Sequence, residues 1–248
     1  MTDGIFESVS QRVGREKDLE NRRIEEITEE LKRRCCLYEK EYGTSSSNVN
    51  ISLEQKVSEE FAVENNLWIP INQVFELGEL GPSGNENDIY IDGDTIYKVN
   101  NLLNCRGSVI RLFNKISLHN IIFRETSYKF YGFTGFSGST TMPIFIQNLV
   151  DSTTPPTQIE ITTYMAALGF NTTEKVGCYV NSKYKVWDVV PKNVLKDKDG
   201  DIFVIDAEIE LINEKLLNSA IQEGLESGIM ENFDPEEHLK YLKSTKNL

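Results

Sequence analysis

Asp188-Val-Val-Pro191-Lys-Asn193-Val-Leu195, followed after ten residues by Asp206-Ala-Glu208, is the stretch on which the reading of this chain turns. YKVWDVV before Pro191 reads as a strand running into a turn, and NVL and IFVID read as two short apolar strands about Asp199-Gly200. An Asp-Gly pair between β-rich runs is a strong hairpin signal. Such a hairpin carries Asp206 back beside Asn193, with Asp188 close by. One carboxylate near a hydroxyl, with an amide and a second carboxylate as oxygen ligands for Mg²⁺, is the set that phosphoryl transfer asks for. Each residue alone has an ordinary explanation: Asp188 can cap a turn, and Asn193 can satisfy loop backbone. The combination with Pro191, the Val-Leu pair and Asp206 is what points to chemistry. DKDGD (197–201) invites a calcium-loop reading as well. Glu208 does fall twelfth from Asp197, but glycine falls fourth rather than sixth and strands flank the loop, so a hairpin turn is the better account.

Upstream of this stretch, QIEITTYMAALGF reads as a helix stopped by Gly169, and KVGCYVN as a strand. Further back, SLEQKVSEEFAVENN reads as a short helix leading into LWIPINQVFELGEL, which Pro70 divides. NDIYI and TIYKV flank Asp92-Gly93-Asp94 and are predicted to pair antiparallel, with Lys98 near the end of the second. Residues 108–123 read as a helix, YGFTGFSGST as turn-rich, and MPIFIQNLV as a buried strand interrupted at Gln147-Asn148. From Ile209 the chain reads as helical and acidic, with Asp234 and Pro235 placed to start a last helix. At the other end, residues 9–42 are rich in Glu, Lys and Arg with a narrow apolar stripe, and GTSSSNVN (43–50) is a linker. The simplest reading of residues 9–42 is a tethered helical extension; a helix that engages a partner is the alternative. The predicted organisation is therefore 1–50 extension and linker, 51–150 a first lobe, and 151–248 a small second lobe.

The 248 residues carry 26 basic and 39 acidic side chains, a net charge of −13. That sign disfavours nucleic acid and anionic lipid as partners. The basic cluster Arg22, Arg23, Lys32, Arg33 and Arg34 is interleaved with glutamates and reads as a solvated helix face. No apolar run approaches a membrane span, and no signal peptide opens the chain. Four cysteines without a CxxC pair, and two histidines, argue against zinc frameworks and for a reduced, cytoplasmic setting, where the sequons at Asn50 and Asn171 say nothing.

With these residues in place, the order of motifs resembles the protein kinase-like fold. DxxPxNVL followed by a strand-borne Asp looks like its catalytic loop and metal-binding Asp. GELGPSG resembles a glycine-rich nucleotide loop, IYKV the strand bearing a phosphate-binding lysine, and MPIFIQNLV the strand that leads to the adenine hinge. Asp206-Ala-Glu208 is more like the choline and aminoglycoside kinases than the Asp-Phe-Gly of protein kinases. The stretch from Leu67 to Glu208 most resembles the compact kinase domain of polyvalent proteins of bacterial phages and conjugative elements. The resemblance implies an α+β, two-lobed protein kinase-like fold with a truncated C-terminal lobe and an N-terminal helical extension.

It also implies ATP and Mg²⁺ as cofactors and an unknown protein or small-molecule hydroxyl as acceptor. Backbone around Gly81 and Gly84 would cover the phosphates, and Lys98 would pair with the α- and β-phosphates. Backbone near Gln147, Asn148 and Leu149 would meet adenine. Asp188 would orient or deprotonate the acceptor, and Asn193 and Asp206 would hold the metal with Glu208 in support. The chain departs from the pattern in three places. Val186-Trp187 stands where many kinases have His-Arg or His-Gly. Residues 101–124 hold no acid to partner Lys98, leaving Glu125 as the nearest candidate, with His119 or Asn120 serving differently. Only 42 residues follow Asp206, too few for a full activation segment and large helical lobe. A catalytically inactive nucleotide-binding or interaction module is thus the alternative to a phosphotransferase.

Overall fold

The computed structural model describes residues 9–42, 51–152 and 154–212. The chain divides after Val150 into two compact units. The predicted helices beyond residue 212 lie outside the described residues.

The first unit is an antiparallel sheet covered on one face by helices. Helix α1 (Val9–Tyr42) and helix α2 (Ile51–Glu64) precede a 3₁₀ turn at Ile71–Leu77, which starts immediately after Pro70. Strands β1 (Glu79–Leu80), β2 (Asn87–Asp92) and β3 (Thr95–Asn100) follow, then helix α3 (Val109–Ile122), β4 (Lys129–Phe136) and β5 (Thr140–Asn148). The strand order is β1-β2-β3-β5-β4. The Asp92-Gly93-Asp94 turn closes β2 onto β3 as predicted, with Gly93 at φ 55° in the left-handed region that favours glycine.

Four phenylalanines form the centre of this unit. Phe113 of α3 meets Phe130, Phe133 and Phe145 of β4 and β5, with ring centroids 5.2–5.9 Å apart. Ser108 caps α3 by accepting from Arg111 N, and the buried Glu54 of α2 accepts from Ser108 Oγ and from Ile110 N at 2.8 Å. The carboxylate thus takes up helix-terminal groups that would otherwise be orphaned.

The apolar stripe of α1 is buried against α3 and α2, with Ile24 and Leu31 fully enclosed. Leucine- and isoleucine-sized groups removed from water contribute about 2 kcal/mol each, so α1 is part of this unit's core rather than a tether. On its outer side Glu30 bonds both Arg33 and Arg34, and Arg34 also reaches Glu64 of α2. The two guanidinium hydrogen bonds hold the Glu30 carboxyl well down, to about 2.

Residues 131–140, expected to be turn-rich, contain most of β4. The glycines there permit close backbone approach within a strand. A Cβ at Gly132 would lie 2.6 Å from Leu67 O, in the segment where Leu67 O accepts from Phe133 N and Trp68 bridges to Phe133.

The second unit begins with helix α4 (Gln158–Ala167), opened by a capping box of Thr157 and Glu160 and stopped before Gly169 at φ 82°. Strands β6 (Asn171–Thr172), β7 (Tyr179–Val180), β8 (Tyr184–Trp187) and β11 (Glu208–Leu211) form one sheet, ordered β11-β8-β7-β6. Strands β9 (Val194–Lys196) and β10 (Ile202–Val204) form the predicted hairpin. Its turn is fastened by Asp197 Oδ1, which accepts from Asp199 N and Asp201 N. The stretch 209–211, expected to be helical, is instead strand, because alternating Ile209 and Leu211 complete a ladder against β8. Among the described residues no helix is long and apolar enough to cross a membrane.

Candidate active site

The second unit carries four of the predicted residues: Asp188 and Asn193 lie between β8 and β9, Asp206 lies between β10 and β11, and Glu208 opens β11. Strand β8 ends at Trp187, and Asp188 turns the chain sharply with φ 60°, an uncommon conformation that aspartate tolerates better than most residues. Gly177 lets that corner close: its φ is 72°, and a Cβ there would press on Val190 Cγ1 at 2.6 Å. The chain then enters a 3₁₀ turn at Pro191–Asn193, with proline in its first turn.

From the end of this turn Asn193 reaches back. Its Nδ2 donates to Asp188 O and to Asp188 Oδ2, both at 2.8 Å. Lys192 Nζ lies 3.3 Å from the same carboxylate oxygen. Ile205 N donates to Asn193 O at 2.9 Å just beyond the pairing of Val194 with Val204, so Asp206 follows one residue after a direct link to Asn193. Glu208 stands across from Trp187, the residue before Asp188. Strand pairing thus brings the backbone just before Asp206 to Asn193, and sets Glu208 across from the residue before Asp188.

The donor chemistry of this group suits a hard divalent cation. The Nδ2 of Asn193 is used on Asp188, while its amide oxygen and the carboxylates of Asp206 and Glu208 are oxygen donors of the kind that Mg²⁺ takes. Among the described residues no three His, Cys, Asp or Glu side chains alone form a metal-holding cluster.

The first unit holds the other predicted residues. Lys98 is buried on β3, and the ladder puts Ile89 opposite Lys98, Ile91 opposite Ile96, and Ile96 opposite Gln147. Ile89, Ile91, Ile96, Lys98 and Gln147 therefore share one sheet face. Lys98 Nζ donates to Tyr128 Oη at 3.2 Å and stands 4.9 Å from the centre of the same ring. Glu125, the expected candidate partner, is instead exposed and pairs with Lys17 of α1. His119 and Asn120 are buried behind the lysine. His119 Nε2 lies 3.2 Å from Thr126 O, which also accepts from Gln147 Nε2 at 2.6 Å.

The loop glycines act differently from the expectation. Gly81 N donates to Ile89 O and Gly84 N to Asn87 O, so both amides are used to close the β1–β2 turn. Gly84 has open space where a side chain would stand, whereas Gly78, at φ 154°, lies directly against the Ile91 carbonyl. Leu149 N likewise donates to Asp94 O at 2.8 Å, which removes that amide as an adenine contact.

Tyr128 and the isoleucine face were missed in the sequence. Tyr128 lies 30 positions from Lys98, and no local spacing links them. The isoleucines read simply as strand residues.

A family model described as "Serine/Threonine/Tyrosine Kinase found in polyvalent proteins" matches residues 52–213. The chain belongs to this Kinase-PolyVal family. No curated protein and no solved structure matches it. The Kinase-PolyVal match begins within α2 and takes in every strand described above, whereas α1 lies outside it.

Proposed function

We propose that this chain is an ATP- and Mg²⁺-dependent phosphotransferase acting on a protein or small-molecule hydroxyl, built on a compact two-lobed kinase-like fold. The observation that carries the reading is the Asp188–Asn193 hydrogen-bonded pair joined through the β9–β10 hairpin to Asp206. A left-handed aspartate pinned by an asparagine is a strained, specific arrangement, and such strain clusters at functional sites.

In this reading Lys98 contacts the α- and β-phosphates, and the turn at 81–84 covers them, with open space at Gly84 rather than the glycine amides admitting them. The isoleucine face of β2 and β3 stacks on adenine, and the segment 147–149 meets its edge through groups other than the Leu149 amide. Asn193 and Asp206 hold Mg²⁺, with Glu208 beside them; the bound ion supplies neutralisation of phosphate charge. Asp188 accepts the acceptor's proton as its oxygen bonds to the γ-phosphorus, and the bridging bond to the β-phosphate breaks to release ADP. The free cysteines of the described residues are consistent with a reducing compartment.

Thermal-shift titration with Mg-ATP tests this on wild type and Asp206→Asn, followed by mass spectrometry for phosphate transfer to the chain or to added acceptors. Metal-dependent stabilisation that Asp206→Asn abolishes is the expected result. Absence of any Mg-ATP shift in wild type sinks the phosphotransferase reading. Binding without transfer to any acceptor would leave the kinase-like nucleotide-binding module.

A further inference from the structure

Helix α3 runs along the face that carries Lys98, yet none of its residues is acidic. A contact to Lys98 comes from beyond its end. Tyr128 places its hydroxyl 3.2 Å from Lys98 Nζ and its ring 4.9 Å from the ammonium, so one side chain offers both a hydrogen bond and a π face. The backbone of Tyr128 is in turn bracketed by one residue of α3. Asn120 Nδ2 donates to Tyr128 O at 2.9 Å, and Tyr128 N donates to Asn120 Oδ1 at 2.7 Å. The ring is held edge-on by His119 at 4.9 Å and by Phe145 at 6.0 Å.

Every member of this chain of contacts is buried. In a close-packed interior such an arrangement has few alternatives, so the position of α3 and that of the lysine head group are tied together. We propose that Tyr128 is a positioning residue for Lys98, with Asn120 transmitting the placement of α3 to it. The proposal rests on the reading of Lys98 as the phosphate-binding lysine. Tyr128 orients the ammonium without adding a counter-charge, and a shift of the last turn of α3 reaches the phosphates through it. The site is thereby coupled to anything that moves α3.

The test compares wild type with Tyr128→Phe, which keeps the ring and removes the hydroxyl. Two readouts are needed. The first is the Kd for Mg-ATP and, separately, for adenosine, which lacks phosphates. The second is the rate at which Lys98 is acetylated in nucleotide-free protein, followed by peptide mass spectrometry. Loss of one hydrogen bond to a charged group predicts Mg-ATP affinity about tenfold weaker with adenosine affinity unchanged. Lys98 should also be acetylated several-fold faster as its head group loses this bond. A merely structural role would weaken both ligands alike or neither.

Equal acetylation of Lys98 in the two proteins overturns the proposal, as does Tyr128→Phe binding Mg-ATP as tightly as wild type. If wild type binds neither ligand, the phosphotransferase reading has failed, and the acetylation rates still decide the role of Tyr128. Should Tyr128→Phe not fold, Asn120→Ala, which keeps the phenol but releases its anchor, must give the same faster acetylation.

Discussion

Asp188 combines a backbone cost with the chemical role proposed for it, and the two can be separated. Its φ of 60° is disfavoured for any residue with a side chain, whereas glycine adopts it freely. Asp188→Gly should therefore leave stability unchanged or raise it by up to about 1 kcal/mol in urea denaturation, while abolishing phosphate transfer. Asn193→Ala removes two hydrogen bonds to Asp188. It should cost about 1–2 kcal/mol and also lose the Mg-ATP thermal shift. Gly78→Ala should destabilise by about 2 kcal/mol or more, because its Cβ would run into the Ile91 carbonyl in a conformation alanine avoids. The turn from Asp188 to Asn193 and the hairpin after it were legible because Asp188, Pro191, Asn193 and Asp206 sit close in sequence. Tyr128 was not, since its partnership with Lys98 exists only once β3 and the segment after α3 are brought together by the sheet.

At the scale of elements, helix ends decide much of the architecture. Glu54 on α2 holds the start of α3, and Glu54→Ala should cost about 2–3 kcal/mol by stranding Ser108 and the Ile110 amide. Burial pushes the Glu54 carboxyl up from its ordinary value, against the hydrogen bonds from Ile110 and Ser108. Its contribution to stability is therefore complete below the unfolded-state value and declines as pH rises through the raised one. Glu160 runs the other way. The Thr157 amide first, then Lys196, holds its carboxyl down from 4.5 to about 2. Its stabilisation is present above the ordinary value and is lost as pH falls toward about 2. Urea midpoints across that acid range should fall less steeply in Glu160→Gln than in wild type. The helices α2, α3 and α4 could be read from their caps and apolar spacing. Strand β4 could not, because its glycines mimic turn chemistry while serving the approach of Leu67, and β11 was hidden by the acidic residues around it.

On the scale of the whole molecule, α1 is the feature that composition misjudges. Its surface of alternating charges conceals Ile24, Ile27 and Leu31, which complete the core of the first unit even though the helix lies outside the family match. Charge patterning describes the solvent face of a helix, and three well-spaced apolar residues are enough to dock the other face. Ile24→Ala and Leu31→Ala should each cost about 2–4 kcal/mol. Hydrogen exchange should show the lost protection in α3 as well as in α1. By the coupling through Asn120, the same variants should weaken Mg-ATP binding.

The two tryptophans of this chain fall one to each unit, Trp68 at its bridge to Phe133 and Trp187 at the end of β8. Each unit thus contains a single tryptophan. Trp187 is covalently next to Asp188 and faces Glu208 across the ladder, with the Lys185 ammonium 5.6 Å from its ring. Its emission is a label-free optical readout of the residues assigned to the metal. With Trp187→Phe and excitation to the red of tyrosine absorption, the remaining light comes from Trp68 and reports on the first unit by itself.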